Sequence, residues 1–398
     1  MKRDLGIYIH IPFCVSRCHY CDFTSFTNNN ECIIKNYIDS VCNEILLSSE
    51  VLSLSNIKTI YFGGGTPSYI DSKYIKQIID TLKLVTNIDN NTSITIEVNP
   101  KTLTLDKAKD YVISGINRVS IGLQSTYDNI LKSIGRVHTY DDFLNTLSIL
   151  EEVGINDISC DLMYPLPNLT KELFKETLET VVKLKDIKHI YIYNLEVHEV
   201  TKLDFLLSEG YLSLCDEDEE YIMRNMINEV LTKNDFVNYE ISNYAKEGFE
   251  SKHNLLYWNQ NEYLGFGVAS SFFINNTRST KTSDLNVYIN TFNNIENCIN
   301  DNNNHIDTIN IDSVIAESND LDINDLKSEY VILKLRLKDG VNEDLYYTKF
   351  KSNLMDDFKE AISDNIAKCL LICDKVNKNI YLSDRGKEIA NIVWQSFM

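Results

Sequence analysis

Along residues 1–200, β-rich apolar runs alternate with amphipathic segments. Six runs predict strands: Gly6-Ile7-Tyr8-Ile9-His10-Ile11, Lys58-Thr59-Ile60-Tyr61-Phe62, Ser93-Ile94-Thr95-Ile96-Glu97, Arg118-Val119-Ser120-Ile121-Gly122, Asp157-Ile158-Ser159-Cys160-Asp161-Leu162 and His189-Ile190-Tyr191-Ile192-Tyr193. Helical patterns lie between them, such as the one carrying Phe143, Leu147 and Leu150, opened by a capping pair of Thr139 and Asp142. Strand and helix alternating at this spacing imply a parallel sheet with right-handed crossovers. An open or closed β/α barrel follows.

Such barrels gather their chemistry at the C-terminal ends of the strands. Five segments of this chain fall there: a cysteine loop after the first strand, Gly63-Gly64-Gly65-Thr66-Pro67 after the second, Glu97-Val98-Asn99-Pro100 after the third, Gln124 after the fourth and Asp161 at the fifth. All five prolines, Pro12, Pro67, Pro100, Pro165 and Pro167, also sit at strand ends, where each stops a strand and sets a loop direction. None follows residue 167, so the remainder is organised differently. The pattern divides the chain into a β/α core (1–200), an extension with an aromatic run around His253 (201–290), an Asn-rich loop or linker centred on Asn302-Asn303-Asn304 (291–325), and a small C-terminal unit (326–398). The last reads as helical and ending in a short hairpin, with Asn379-Ile380-Tyr381-Leu382 as one strand.

Composition narrows the function classes. At 398 residues there is room for one large domain and one or two smaller ones, and 43% hydrophobic residues exclude a disordered chain. A net charge of -20 argues against a nucleic-acid partner, which needs clustered Lys and Arg. The N-terminal apolar stretch is broken by His10 and runs into cysteines, unlike a signal peptide, and no run reaches membrane-spanning length. The sequence reads as a soluble, cytoplasmic protein with at most peripheral membrane contact, and a homodimer is compatible with it.

Ten cysteines without an export signal read as reduced thiols, and Cys14, Cys18 and Cys21 are their only tight group. Cys369 and Cys373, four apart at helix spacing, are assigned to core packing, as are Cys32, Cys42, Cys160, Cys215 and Cys298. The spacing Cys14-x3-Cys18-x2-Cys21 puts three thiolates on one compact loop, enough for three corners of an iron–sulfur cube. A structural zinc site would need a fourth ligand, from His10 or His19. Glycines 63–65 would let backbone N–H and C=O groups approach a charged small molecule.

The run Tyr8-Ile9-His10-Ile11-Pro12-Phe13-Cys14, followed by Cys18, Tyr20, Cys21, Asp22 and Phe23, resembles the radical-SAM group of oxygen-independent coproporphyrinogen III oxidases and the related HemW-type heme chaperones, over nearly the whole chain. The resemblance implies an α/β fold: a partial (β/α)6 barrel with an additional C-terminal α+β region and a small helical, winged-helix-like domain. It implies a [4Fe-4S] cluster on Cys14, Cys18 and Cys21, with one iron open to S-adenosylmethionine (SAM). SAM contacts are implied for Tyr8, Tyr20, Phe23, Gly64, Gly65, Thr66, Glu97, Gln124, Arg136 and Asp161, with acids suited to ribose hydroxyls or the ammonium and Arg136 to the carboxylate. Read without the resemblance, Glu97 and Asp161 are acids at strand ends, and Gly135-Arg136-Val137-His138 could be an exposed turn. Pro165-Leu166-Pro167-Asn168 replaces the group's usual Gly-Leu-Pro-Gly, which puts that loop's backbone contacts in doubt.

Three features resemble the chaperone branch. Phe23 stands where the oxidases carry a further cysteine, only 13 residues precede Cys14, and Lys252-His253-Asn254-Leu255-Leu256-Tyr257-Trp258 contains a His-Asn-x-x-Tyr-Trp signature. The branch implies heme as cargo, passed to respiratory heme proteins, with His253 as an axial ligand and Tyr257 and Trp258 as apolar walls. By itself, His253 would be read as a hydrogen-bonded structural histidine. Ala269-Ser270-Ser271 replaces the Gly-Ala-His of relatives, so no second histidine is supplied there. The rival is a SAM-cleaving oxidase that decarboxylates coproporphyrinogen III propionates to vinyl groups; no catalytic residue is assigned, and whether the chain is an enzyme stays open.

Overall fold

The computed structural model describes residues 2–27, 30–293 and 311–398. All six expected strands form: β1 (Arg3–Ile11), β2 (Ser55–Gly64), β3 (Ser93–Val98), β4 (Arg118–Gln124), β5 (Asp157–Tyr164) and β6 (Ile187–Asn194). They lie side by side in chain order and pair in parallel, each joined to the next through helix. One side of every strand is apolar. Ile7, Ile9, Ile60, Phe62, Ile96, Val119, Ile121, Cys160, Leu162 and Ile190 are buried in one continuous core with the helices Glu31–Leu47, Ser72–Val85, Leu105–Ser114, Tyr140–Val153 and Lys171–Val181. The Tyr140–Val153 helix opens on the anticipated capping box, in which Thr139 accepts from the Asp142 amide and Asp142 accepts from that of Thr139.

Hydrogen bonds do not close the six strands into a ring. Beyond β6 the sheet continues antiparallel through β8 (Asn243–Ala245) and β7 (Val237–Asn238). On the other edge β9 (Tyr263–Phe266) pairs in parallel with β1, followed antiparallel by β10 (Ser271–Ile274), β11 (Thr277–Lys281) and β12 (Ile315–Asp320). The result is a 12-stranded open sheet.

A buried ion pair fastens the β1 edge. Lys281 on β11 and Glu44 on the Glu31–Leu47 helix are 5% and 8% exposed and in direct contact. Glu44 also accepts from the Gly267 amide at 3.1 Å and from the Tyr288 hydroxyl, while Lys281 donates to the Gly265 carbonyl. Beside it the Tyr37 hydroxyl donates to the His10 carbonyl at 2.7 Å and accepts from the Val268 amide at 3.1 Å. Every charge in this cluster has a partner, as burial requires. The last turn of β1, which leads into the cysteines, is thereby tied to the strands at the sheet edge.

The C-terminal unit has a separate core of Tyr330, Val331, Leu335, Tyr346, Leu354, Ile362 and Phe397 around a small sheet ordered β13 (Val341–Asn342), β15 (Asn379–Leu382), β14 (Leu371–Asp374). It meets the rest of the chain where Arg336 lies 4.5 Å from both the Trp258 and the Trp394 rings, a cation–π sandwich.

Three expectations need correction. The Asn302–Asn304 stretch lies outside the described residues, but within the same 291–325 segment Ile315–Asp320 forms strand β12. That strand is mostly exposed and carries almost no apolar pattern; backbone pairing with β11 defines it. The chain does not end in the hairpin, because helices Asp384–Glu388 and Ala390–Gln395 follow β15. Cys369 and Cys373 are not on one helix: Cys369 is exposed at a left-handed turn (φ 59°), whereas Cys373 sits on β14 and, partly buried, packs against the C-terminal core as expected. Cys32 is also exposed, whereas Cys42 and Cys160 are buried as expected and Cys215 is partly so; Cys298 lies outside the described residues.

Lys281→Met leaves Glu44 buried without its counter-charge. The expected loss is about 3–5 kcal/mol of unfolding free energy in a urea titration; a loss under about 1 kcal/mol would show that the pair contributes little.

Candidate functional site

The inner side of the six strands is polar. Tyr8, Tyr61, Glu97, Ser120, Asp161 and His189 line one cavity of about 250 Å³, closed on one side by the helix Lys252–Trp258. Burial obliges each polar atom to find a partner, and the partners come from the same strand or from others of the sheet. The Tyr61 hydroxyl donates to Glu97 Oε1 at 2.9 Å. The Ser120 and Ser159 hydroxyls donate to Asp161 Oδ1 at 2.9 and 3.4 Å. The Tyr193 hydroxyl donates to Gln124 Oε1 at 3.0 Å.

The two acids share this poorly solvated space. Burial pushes the Glu97 carboxyl up to about 7, aided by the Asp161 charge and opposed by the Tyr61 hydrogen bond. Burial pushes Asp161 up to about 6, against the Ser120 bond and the Arg136 and Arg118 charges. Both carboxyls therefore titrate near neutrality and favour a cationic guest once ionised.

Above the cavity, at the C-terminal ends of the strands, lies the cysteine loop. Cys14 is buried, Cys18 and Cys21 partly so, and burial raises the Cys14 and Cys21 thiols. Assembly of a cluster must remove those protons. The Thr66 hydroxyl donates to Cys14 Sγ and Arg136 Nη1 to Cys18 Sγ, each at 3.5 Å. Arg136 also donates to the Gly122 carbonyl, and its Nε is buried without a partner. This residue faces the cysteines rather than solvent, so the exposed-turn alternative is corrected.

The glycine run packs directly under this loop. Gly64 has φ 110°, and a Cβ there would stand 2.5 Å from the His10 ring. At Gly65 a Cβ would meet Cys14 Sγ at 3.0 Å and the Phe13 amide nitrogen at 2.9 Å, so only glycine lets backbone approach the thiols. His10 is engaged at both ring nitrogens, by the Tyr8 hydroxyl at 3.1 Å and the Thr24 carbonyl at 3.0 Å, and the His19 Nδ1 bonds to the Ser133 carbonyl at 3.1 Å. His10 therefore has no nitrogen left for a metal, and the free edge of the His19 ring packs against Gly135. Among the described residues no three Cys, His, Asp or Glu side chains converge tightly enough for a single metal ion. Three thiols, a glycine cradle and an unpaired guanidinium nitrogen fit a larger cluster with a carboxylate-bearing ligand beside it.

Of the anticipated SAM-contact residues, Tyr8, Glu97 and Asp161 share the cavity, Gly64, Gly65, Thr66 and Arg136 surround the cysteines, and Gln124 and Tyr20 lie between, both near Tyr193. Phe23 does not join them: its side chain is 64% exposed.

His253 also stands apart from the cysteine loop. It sits on the helix that closes the cavity, 3% exposed, with Nδ1 2.7 Å from the Thr59 hydroxyl, Nε2 2.7 Å from the Tyr257 hydroxyl, and its ring stacked 5.0 Å from Tyr61. Burial lowers its pKa to about 3, leaving a neutral imidazole. An axial heme ligand needs a free ring nitrogen, and here both are taken, so the geometry is that of a structural histidine. Trp258 stacks on Arg336 and is not a free apolar wall.

Sequence reading missed Tyr61, Ser120, Ser159, His189 and Tyr191, all of which line the cavity. The signal was present as polar residues at every second strand position, such as Thr59/Tyr61, Ser159/Asp161 and His189/Tyr191.

The family model described as the Radical SAM superfamily matches residues 8–181. The fold is similar to the solved coproporphyrinogen III oxidase HemN of Escherichia coli, a radical SAM enzyme, at TM-score 0.81 and 19% identity, covering 100% of this chain and 90% of that one. Fold and cysteine loop define a radical SAM protein. The heme chaperone HemW of Lactococcus lactis is 30% identical over 398 residues, covering 100% of this chain and 98% of its own length. That of Bacillus subtilis is 30% identical over 399 residues, covering 98% of each, and that of Escherichia coli 32% identical over 266, covering 67% of this chain and 69% of its own. The chain belongs to the HemW family. Radical SAM membership implies a [4Fe-4S] cluster and SAM, and no helix among the described residues is long and apolar enough to cross a membrane.

The raised carboxyls give a pH test. Because folding raises both pKa values, their contribution to stability is complete below the unfolded values and is lost as pH rises through about 6 and about 7. Infrared spectra of the ligand-free protein should show protonated-carboxyl bands that disappear across that window, Glu97→Gln and Asp161→Asn each removing one component. Bands unchanged by either substitution would reject the assignment.

Proposed function

We propose that this chain is a heme chaperone: it holds a [4Fe-4S] cluster on Cys14, Cys18 and Cys21, binds SAM beside it, and carries heme to heme proteins such as those of respiratory chains. The observation that carries this reading is the full-length similarity to proteins named heme chaperone HemW, joined to a cysteine loop and glycine cradle suited to cluster and SAM. The structural likeness to HemN extends to the fold alone, at 19% identity, and lends no weight to oxidase activity.

A cluster held by Cys14, Cys18 and Cys21 would supply an open iron as the anchoring site for the amino and carboxylate groups of SAM. The protein positions them: Arg136 is placed to pair the carboxylate, Glu97 and Asp161 to take the ammonium or ribose hydroxyls, and Gly64, Gly65 and Thr66 to lend backbone and hydroxyl contacts. Tyr8, Tyr20 and Gln124 complete the surround. Phe23, exposed at the rim where an oxidase would have a thiol, offers apolar surface to a macrocycle rather than a redox group. His253 ligates heme iron only in a state where Tyr257 has released Nε2.

Anaerobic, cluster-loaded protein should give a stoichiometric Soret band with hemin, pass the heme to an apo b-type cytochrome, and form no protoporphyrinogen from coproporphyrinogen III with SAM and reductant. Many turnovers of that oxidation would overturn the chaperone reading. For the ligand, Tyr257→Phe frees His253 Nε2 and should tighten hemin binding about fivefold, the worth of one competing hydrogen bond, while His253→Ala shifts the Soret maximum. If Tyr257→Phe leaves hemin affinity unchanged and His253→Ala leaves the spectrum unchanged, His253 is purely structural.

A further inference from the structure

The cavity wall contains a hydrogen-bonded chain that the SAM contacts do not account for. Asp161 Oδ1 accepts from the Ser159 hydroxyl at 3.4 Å, and the Ser159 oxygen lies 2.8 Å from His189 Nδ1. His189 Nε2 lies 2.8 Å from the Tyr239 hydroxyl, whose oxygen accepts from the Ser251 amide at 3.1 Å. Ser159 and His189 are each 2% exposed. Tyr239, in contrast, lines a second cavity of about 420 Å³ between the Lys252–Trp258 helix and the C-terminal unit, together with Glu250, Asn259, Lys334 and Asp339.

The donors can be assigned in one direction. The Ser159 hydroxyl is needed by the ionised carboxylate, so it accepts from His189 Nδ1–H; Nε2 then carries a lone pair and accepts from the Tyr239 hydroxyl. Reversing every hydrogen gives the complementary chain, which starts from a protonated Asp161. Every group can both give and receive a proton, because burial keeps His189 neutral.

We propose that Ser159, His189 and Tyr239 form a proton relay joining Asp161 to the cavity on the opposite side of the sheet interior. The inference rests on the reading that SAM binds beside Glu97 and Asp161. A cationic cofactor there favours both carboxylates ionised, so the proton held near neutral pH must leave. A cofactor seated on the glycine loop covers Asp161 from the cysteine side, and the relay offers a hydrogen-bonded exit on the other. In the step, the Asp161 proton passes to the Ser159 oxygen, the Ser159 proton to His189 Nδ1, the Nε2 proton to the Tyr239 oxygen, and the Tyr239 proton to water in the second cavity. One proton enters, one leaves, and no bond other than O–H and N–H changes. The charged and titratable groups facing Asp161 are Glu97 on β3, Arg118 on β4, Arg136 after it, Tyr61 on β2, Tyr191 and Tyr193 on β6, and Cys160 beside it on β5. None of them continues the chain to the second cavity.

The test is anaerobic stopped-flow mixing of the full-length, cluster-loaded protein with SAM at a pH below the Asp161 value of about 6, where that carboxyl still holds its proton, following intrinsic fluorescence for binding and an indicator dye for protons. In the wild type, proton release should keep pace with binding. Tyr239→Phe removes the outer hydroxyl and Ser159→Ala cuts the chain beside Asp161; in each, release should lag binding in the same variant by at least about tenfold. Two cuts at opposite ends guard against one variant misfolding, which loss of cluster absorption would reveal. Ser120→Ala removes an Asp161 bond without cutting the chain and should weaken SAM binding while proton release still keeps pace. Release that matches binding in both cut variants overturns the relay, as does SAM binding without any proton release. If SAM fails to bind the wild type, the functional reading fails, and the relay's role with it.

Discussion

Parallel strands covered by helices usually bury apolar residues on both faces. Here only the helix-facing side does so, and the inner side of β1 to β6 carries tyrosines, serines, carboxylates and histidines. That single departure constrains the rest. An unpaired polar atom in such a space costs about 1–3 kcal/mol, so each inner residue needs a partner, and where the bond crosses strands the register has to bring the two within reach. Tyr61 reaching Glu97 and Ser120 reaching Asp161 are cross-strand bonds of this kind. The apolar outer side supplies the burial energy that tolerates this arrangement, and the inner side is preorganised for a polar, charged guest.

The same economy governs the mouth of the fold. The cysteine loop is short; Phe13, Tyr20 and Phe26 anchor it to the core, and the rest is shaped by what lies beneath and beside it. Gly64 makes room for the His10 ring and Gly65 for Cys14. Arg136 reaches the loop from the segment after β4, and the Leu203 amide donates to the His19 carbonyl at 2.7 Å from the segment after β6. The Glu44–Lys281 pair and Tyr37 hold the end of β1 from behind. Contacts from four directions thus hold the loop that carries Cys14, Cys18 and Cys21.

Much of this was legible in the sequence, for local reasons. The six strands were visible because β-branched runs stand between glycine- and proline-marked ends, and the cysteine and glycine motifs are contiguous. What the sequence hid was tertiary. Arg136 looked like a turn residue because nothing local shows that it faces Cys18, 118 positions away. His253 was read toward a ligand role, but its partner Thr59 is 194 residues distant. Strand β12 lacks apolar alternation and exists through its edge pairing. The polar side of the sheet was readable in principle at every second position, yet its meaning depends on which face the helices cover.

The two ends of the cavity differ in the groups they present. Thr59, the partner of His253, lies four residues before Gly63, which is level with Glu97 if the register of β2 on β3 is carried one step past Phe62 and Ile96. At the rise of a strand that is roughly 13 Å between Thr59 and the level of Glu97, a span that the Tyr61 side chain bridges by stacking on His253 and donating to Glu97. The lining between the two ends is polar and continuous: Thr59 bonds His253, the His253 ring stacks on Tyr61, and Tyr61 donates to Glu97. A guest at the acid end is therefore one ring away from the Lys252–Trp258 helix that carries His253, and the two ends are coupled through packed side chains rather than insulated from each other.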